Sequence, residues 1–339
     1  MEEPRARRWC LAFLLLLLML AGLFLWSLNA GSIPLTAGEV WDILIHRDGD
    51  YAAVIWKLRL PRTLSAALLG GALSVSGFLL QTFFANPIAS PFVLGISSGA
   101  KLTVSLAMVG LLSRGVVMSS GGMILAAFAG AMLSMGFVLL LSKWLHQMSL
   151  LVVSGVMIGY LCSAVTEFVV TFASDANIVN LHNWSMGSFS GVTWGNVEAA
   201  AAIVLPCLGA AFLLSKPMAA YQMGEAYARS VGVPVRAFSA ALVLLSSLLA
   251  ACVTAFAGPI SFVGIAVPHL VRQALGSARP LYVLPGCALG GATFCLLCDL
   301  IARSLFAPTE LSISSVTAVF GAPIVIWLLV RRHSREGAV

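Results

Sequence analysis

Apolar residues run through this chain in long blocks, at approximately 9–28, 63–83, 92–112, 117–142, 150–172, 195–215, 237–256, 260–275, 281–302 and 313–330. Most approach the roughly 20 residues that a helix needs to cross hydrocarbon. Backbone in lipid is satisfied only within a helix or a closed barrel. None of the blocks shows the two-residue alternation of a barrel strand. The pattern predicts an all-α integral membrane protein with about ten transmembrane helices. The weakest spans are 92–112, which contains Lys101, and 260–275, which is short. Gly and Pro recur inside the blocks, as at Gly70-Gly71, Gly121-Gly122, Gly258-Pro259, Pro268 and Gly290-Gly291. Small residues let helices pack closely, and the prolines predict kinks or broken helices that line a cavity. A faint internal echo suggests two related halves: Asn86-Pro87 precedes Phe92-Val-Leu-Gly-Ile96, and Gly258-Pro259 precedes Phe262-Val-Gly-Ile265.

One polar island interrupts the blocks, from Lys216 to Arg236. It is too polar for lipid and rich in helix formers, so it predicts a short surface helix suited to docking a soluble partner. With no soluble domain or low-complexity linker in view, the chain reads as a single transmembrane domain, 1–339, that includes this island at about 216–236.

Composition strengthens the membrane reading. The 339 residues are 60% hydrophobic and only 9% charged, against about 25% charged in soluble domains. The net charge is +6, but the bases sit at block ends, without a basic patch or interleaved aromatics. They act as topology determinants, and no nucleic-acid partner is implied. Ten spans place both termini on one side, with Arg5, Arg7, Arg8, Lys143, Lys216, Arg229, Arg236, Arg272, Arg279, Arg331, Arg332 and Arg335. The opposite side holds Arg47, Lys57, Arg59, Arg62, Arg114 and Arg303. The Lys/Arg excess makes the first side cytoplasmic. The first block is longer than a signal peptide's apolar stretch, and Leu28-Asn-Ala30 is a poor cleavage site, so it is read as a retained span.

Reactive groups are sparse. No GxxxxGK[ST] loop is present to cradle phosphate, and no Ser/His/Asp or Glu/His set suggests a hydrolytic centre. Cys295 and Cys298 have CxxC spacing, but within an apolar block they read as small packing residues. The histidines lack metal-site spacing, and no metal site is expected. Any ATP hydrolysis belongs to another chain.

The most specific signature is an ordered series. It begins with Leu58-Arg-Leu-Pro-Arg-Thr-Leu64, Gly70-Gly-Ala, Gly77, Gln81, Asn86-Pro-Ile-Ala-Ser-Pro91 and Leu94-Gly-Ile-Ser-Ser-Gly99. It ends with Gly258-Pro-Ile-Ser-Phe-Val-Gly264, Pro268-His-Leu-Val-Arg272 and Asp299-Leu-Ile-Ala-Arg303. This series resembles the FecCD family of ABC-transporter permeases over about residues 35–330. The resemblance implies a type II importer permease fold and cargo such as ferric siderophore, haem or cobalamin. It implies a second permease copy or a paralogue, two ABC ATPase subunits holding ATP and Mg, and an extracytoplasmic substrate-binding protein. No cofactor is then bound by this chain, and the place of action is a bacterial or archaeal cell (inner) membrane.

The resemblance also assigns roles. Gly224, Glu225, Ala226, Arg229, Gly232 and Val233 fall in the family's cytoplasmic coupling helix. There Ala226 and Ala228 permit close docking against a partner, Glu225 and Arg229 pair at i,i+4, and Gly232 suits a C-terminal cap. Arg59, Arg62 and Arg303 match the docking arginines, whose planar forks meet carboxylates of the binding protein. Arg303 has a second reading, as the partner of Asp299 one turn earlier. Met148 and Ser149 resemble the cytoplasmic gate. Glu167, an ionisable group at membrane depth, reads either as pathway lining or as an interfacial residue. Lys101 reads as a long stem reaching water, and Trp184 and Trp194 as interfacial belt residues. Two stretches depart from the family pattern: Ser277-Ala-Arg-Pro280 at a cytoplasmic turn, and Ser312-Ile-Ser314 before the last span. A secondary transporter or channel driven by an ion gradient is the alternative; it would need mid-membrane coupling acids, for which Glu167 and Asp299 are the nearest candidates.

Overall fold

The computed structural model describes residues 3–31, 33, 35–112, 119–141, 144 and 148–336. Among the described residues, each of the ten apolar blocks contains a helix. In chain order the helices are α1 (Glu3–Asn29), α2 (Ala37–His46), α3 (Leu60–Phe83), α4 (Ile96–Leu112), α5 (Ser120–Leu141), α6 (Met148–Val170), α7 (Asp175–Ser185), α8 (Trp194–Leu213), α9 (Ser215–Gln222), α10 (Glu225–Ser230), α11 (Val235–Ala257), α12 (Val263–Leu275), α13 (Pro280–Ser304) and α14 (Ile313–Glu336). Among the described residues, seven helical stretches are long and apolar enough to cross a membrane unaided. The apolar parts of α4 and α14 are shorter. At 13 residues, α12 rises only about 20 Å, less than the roughly 30 Å of a hydrocarbon core.

Local chemistry sets the boundaries. Pro280 is the first residue of α13 and Pro61 the second of α3, both in a first turn where a missing N–H is tolerated. Thr36 and Glu39 form a reciprocal capping box that starts α2. Two expected boundaries move inward. The block at 92–112 opens as a 3-10 turn, Pro91–Leu94, and α4 begins after Gly95 in the left-handed region. The block at 260–275 becomes α12 only after Phe262, which is itself left-handed at φ 65°. The structure adds elements that the block pattern does not announce: α2, α7 and a π-helical turn at Val54–Arg59 that runs straight into α3.

The helix α3 is the centre of the molecule, buried over nearly its whole length. Helices in lipid gain little from water exclusion, so close packing has to hold them together. Glycines supply that closeness. A Cβ at Gly70 would lie 2.5 Å from Gly291 O and from Cys295 Cβ of α13, and one at Gly77 would lie 1.9 Å from Gly264 O of α12. The CxxC pair is buried here as packing.

Helix pairing follows a twofold pattern. α3 packs on α12 and α13, as α11 packs on α4 and α5; α4 lies against α5 and α6, as α12 lies against α13 and α14. Where α3 crosses α11, the Ser76 hydroxyl donates to Ser246 O at 2.7 Å and the Ser246 hydroxyl donates to Ser76 O at 2.9 Å. The faint sequence echo thus sits at equivalent places in two sets of four helices.

Side-chain bonds at helix ends define two faces. Arg8 of α1 donates to Gln273 O and Ala274 O at the end of α12. The Gln222 amide of α9 reaches Thr82 at the end of α3 at 3.5 Å. At the opposite face, the end of α1, the start of α3 and the end of α13 meet through Arg59 and Arg303.

Candidate functional site

The three arginines predicted on the outer side come together around one cleft of about 310 Å³, whose lining includes Gly31, Leu58, Arg59, Arg62, Arg303 and Glu310. Arg59 is 6% exposed and donates to Leu28 O, Asn29 O and Ile33 O at 2.7, 2.9 and 2.6 Å. It satisfies carbonyls left over at the C-terminal end of α1. Gly31 leaves it room, since a Cβ there would lie 2.8 Å from its guanidinium. Arg303 donates to Ser27 O at 2.7 Å and also bonds the Ser27 hydroxyl.

Arg62 makes the denser set. It donates through Nε and Nη2 to Asp299 at 2.9–3.2 Å and through Nη1 to Glu310 at 2.8 Å. Asp299 is fully enclosed, while Glu310 is 41% exposed. The sequence suggested Arg303 as the partner of Asp299. That contact exists at 3.7 Å, too long for a hydrogen bond, and Arg303 Nε has no hydrogen-bond partner in the described structure. Arg62, from another helix, is the principal partner. Asp299, an acid inside an apolar block, was the available signal that a cation from elsewhere must meet it. Glu310 lies in a stretch with no periodicity to mark it.

The polar island forms the opposite face as two short helices rather than one. Gly224, at φ 116°, separates α9 from α10. Gly232 N–H bonds Arg229 O and Val233 N–H bonds Ala228 O, the paired closure of a Schellman motif, with Gly232 at φ 87°. Glu225 and Arg229 pair at 2.5 Å, both more than half exposed. Ala226 is exposed, but Ala228 is fully buried. Only Ala226 is therefore available to a partner, because Ala228 turns inward on its own chain. Met223, Tyr227 and Val231, spaced four apart, are instead 73%, 49% and 52% exposed. They give α10 an apolar stripe that the sequence reading overlooked. Beneath it, burial raises the Tyr221 phenol pKa, the nearby Glu225 carboxylate adds to the rise, and a bond with Ser239 opposes it.

The gate candidates Met148 and Ser149 open α6, and their side chains lie outside the described residues. Glu167 is exposed on α6 beside Phe168. Lys101 is half-buried on α4. Arg114 and Lys143 lie outside the described residues. Trp194 donates to Trp56 O at 2.7 Å and stacks on that ring, so it pins α8 to the π-turn. The Pro268-His-Leu-Val-Arg272 motif docks α12 on α3. Arg272 bonds the Gln81 carbonyl and lies over the Phe78 ring, while the Gln81 amide donates to Gly264 O at 3.1 Å.

Among the described residues, a bundle of long apolar helices, with a basic cleft on one face and a polar helical segment on the other, defines an integral membrane protein. The chain belongs to the FecCD transport family, whose model matches residues 16–331, and is accordingly the permease subunit of an ABC importer, with ATP hydrolysis carried by a separate chain. It is 36% identical over 333 residues to the hemin transport system permease protein of Yersinia pestis, covering 97% of this chain and 98% of that one. It is 37% identical over 335 residues to the vitamin B12 import system permease protein of Klebsiella pneumoniae, covering 99% and 97%. Among solved structures, a chain described as a metal-chelate type ABC transporter in an inward-facing conformation superposes with a TM-score of 0.82, at 28% identity over 95% of this chain and 99% of that one.

Proposed function

We propose that this permease carries a metal-bearing macrocycle of the haem or cobalamin kind. The observation behind this reading is the even, end-to-end similarity to a hemin permease and a vitamin B12 permease, at 36% and 37% identity. In the proposed assembly the whole chain, 1–339, works as one unit beside a second copy or a paralogue. Two ATPase subunits sit below and an extracytoplasmic binding protein sits above. Both termini are cytoplasmic in the bacterial cell membrane. The Lys/Arg distribution supports that orientation, as does the sharing of one face by the start of α1 and the end of α12.

Gly224, Glu225, Ala226, Arg229, Gly232 and Val233 form the coupling segment, with Met223, Tyr227 and Val231 as its contact stripe. Arg59, Arg62 and Arg303 form the docking cleft. Arg62 is its working group, because its outermost bond goes to the half-exposed Glu310. A carboxylate of the docking protein would take the place of Glu310 on the same fork. Met148 and Ser149 act as the gate, and Glu167 lines the pathway.

Vesicles holding this permease with its ATPase and binding protein should accumulate haem or cobalamin only with ATP. Alanine at the P-loop Lys of the ATPase should abolish uptake. Uptake by the permease alone would refute the coupling scheme. Transport of a ferric siderophore with rejection of both macrocycles would keep the importer and overturn the cargo.

A further inference from the structure

Much of the first helix is uncovered, and the space beside it has a specific shape. Between α1 and α12 lies a cavity of about 760 Å³, lined by Arg7, Arg8, Leu16 and Ala274 among others. A second, narrower cavity of about 180 Å³ follows between α1, α12 and α13. It shares Leu16 and Ala274 with the first and continues past Leu270 and Phe294. Along α1 the lining runs from Arg7 to Met19, a rise of about 18 Å. That is close to one leaflet's half of a hydrocarbon core about 30 Å thick. The groove is basic at its mouth and almost wholly apolar along its depth.

The mouth is also built. Arg8 is fixed by bonds from Nε and Nη2 to the last carbonyls of α12, at 3.0 and 2.6 Å. Its Nη1 makes no hydrogen bond among the described residues. Arg7, one residue earlier on the same turn, is exposed. Two guanidinium groups at the open end of an apolar slot of that length complement a lipid with an anionic phosphate head.

We infer that the groove between α1, α12 and α13 is a binding site for one anionic phospholipid, its phosphate on Arg7 and Arg8 and one acyl chain against Leu270 and Phe294. The bound lipid fills the gap that side chains leave between α1 and the rest of the bundle.

Native mass spectrometry of the detergent-purified transporter tests this, with phosphatidylglycerol and phosphatidylcholine of identical chains added in turn. Phosphatidylglycerol should be retained preferentially, at one molecule per permease. Arg7→Gln should weaken its retention about fivefold, the effect of one basic group at an anionic surface, and leave phosphatidylcholine unchanged. Leu270→Trp, which fills the slot, should weaken both. Unaltered size-exclusion profiles and helical circular dichroism establish that the variants are folded. Equal retention of the two lipids by the unaltered protein, or phosphatidylglycerol retention that survives both substitutions, would overturn the inference.

Discussion

Asp299→Asn isolates the buried charge beneath the outer cleft without opening a cavity. Asp299 accepts from Arg62 at 2.9–3.2 Å and faces Arg303 at 3.7 Å, and it is 1% exposed. The amide keeps the shape and one acceptor but removes the charge that two guanidinium groups share. Breaking a buried pair costs about 3–5 kcal/mol, because the remaining charge is left uncompensated. Arg62 is 13% exposed and keeps Glu310, so the lower end applies, about 3 kcal/mol. Glu310→Gln removes a pair whose acid is 41% exposed and should cost only about 0.2–1 kcal/mol. Unfolding of the purified protein by SDS titration measures both. In a cycle with Arg62→Gln, the double variant should lose less than the sum of the singles, with a coupling of about 1–3 kcal/mol. Equal losses for Asp299→Asn and Glu310→Gln, or additive singles, would refute the assignment of Asp299 as the shared anchor.

Two further outcomes follow from packing and exposure. Gly77→Ala would force α3 and α12 about 1.5 Å apart, since its Cβ would lie 1.9 Å from Gly264 O where ordinary contact begins at 3.4 Å. It should destabilise by about 1–3 kcal/mol or more. Gly136→Ala, with nothing within 4 Å, should be neutral or stabilising by up to about 1 kcal/mol, so one chemical change gives opposite signs in thermal melts. On α10, Tyr227→Asp or Val231→Asp should weaken co-purification of the partner ATPase at least tenfold while moving stability by no more than about 0.5 kcal/mol. Glu225→Gln should change stability little, because its pair with Arg229 is exposed.

The fold was legible wherever the signal was local. Block length announced ten helices because lipid leaves the backbone few alternatives. Gly232 marked the end of α10 through its own φ preference. What escaped was non-local. Arg303 stands one turn from Asp299 in sequence, yet Arg62 holds that carboxylate because α3 and α13 pack side by side. Helix periodicity predicts i,i+4 neighbours and says nothing of a cation 237 residues away. Ala228 looked like a contact residue for its size, but its face is set by the rotation of a six-residue helix that Gly224 and Gly232 fix at both ends. The apolar stripe of Met223, Tyr227 and Val231 has the right spacing, yet two of its members lie outside the helix they extend.

The same two helices reach both faces. Arg62 opens α3 at the cleft, and α3 ends where Gln222 of α9 bonds Thr82. Asp299 and Arg303 close α13 at the cleft, and α13 also touches α9, which in turn carries α10. Between these ends α3 and α13 meet backbone to backbone, since a Cβ at Gly291 would lie 2.3 Å from Gly70 O and one at Gly71 would lie 2.8 Å from Ala288 O. Surfaces this close cannot slide past each other without separating, because an interior packed at crystal density yields little. If α10 takes the push of the partner ATPase, as proposed above, close packing would deliver it to α3 and α13 as one body that carries the cleft with it. Spin labels at Leu58, beside the start of α3, and at Leu305, just beyond the end of α13, should hold a constant separation through the ATP cycle. A label pair joining either helix to α6 should change. If the Leu58–Leu305 separation changes on nucleotide binding, the two helices are not a rigid link between α10 and the cleft.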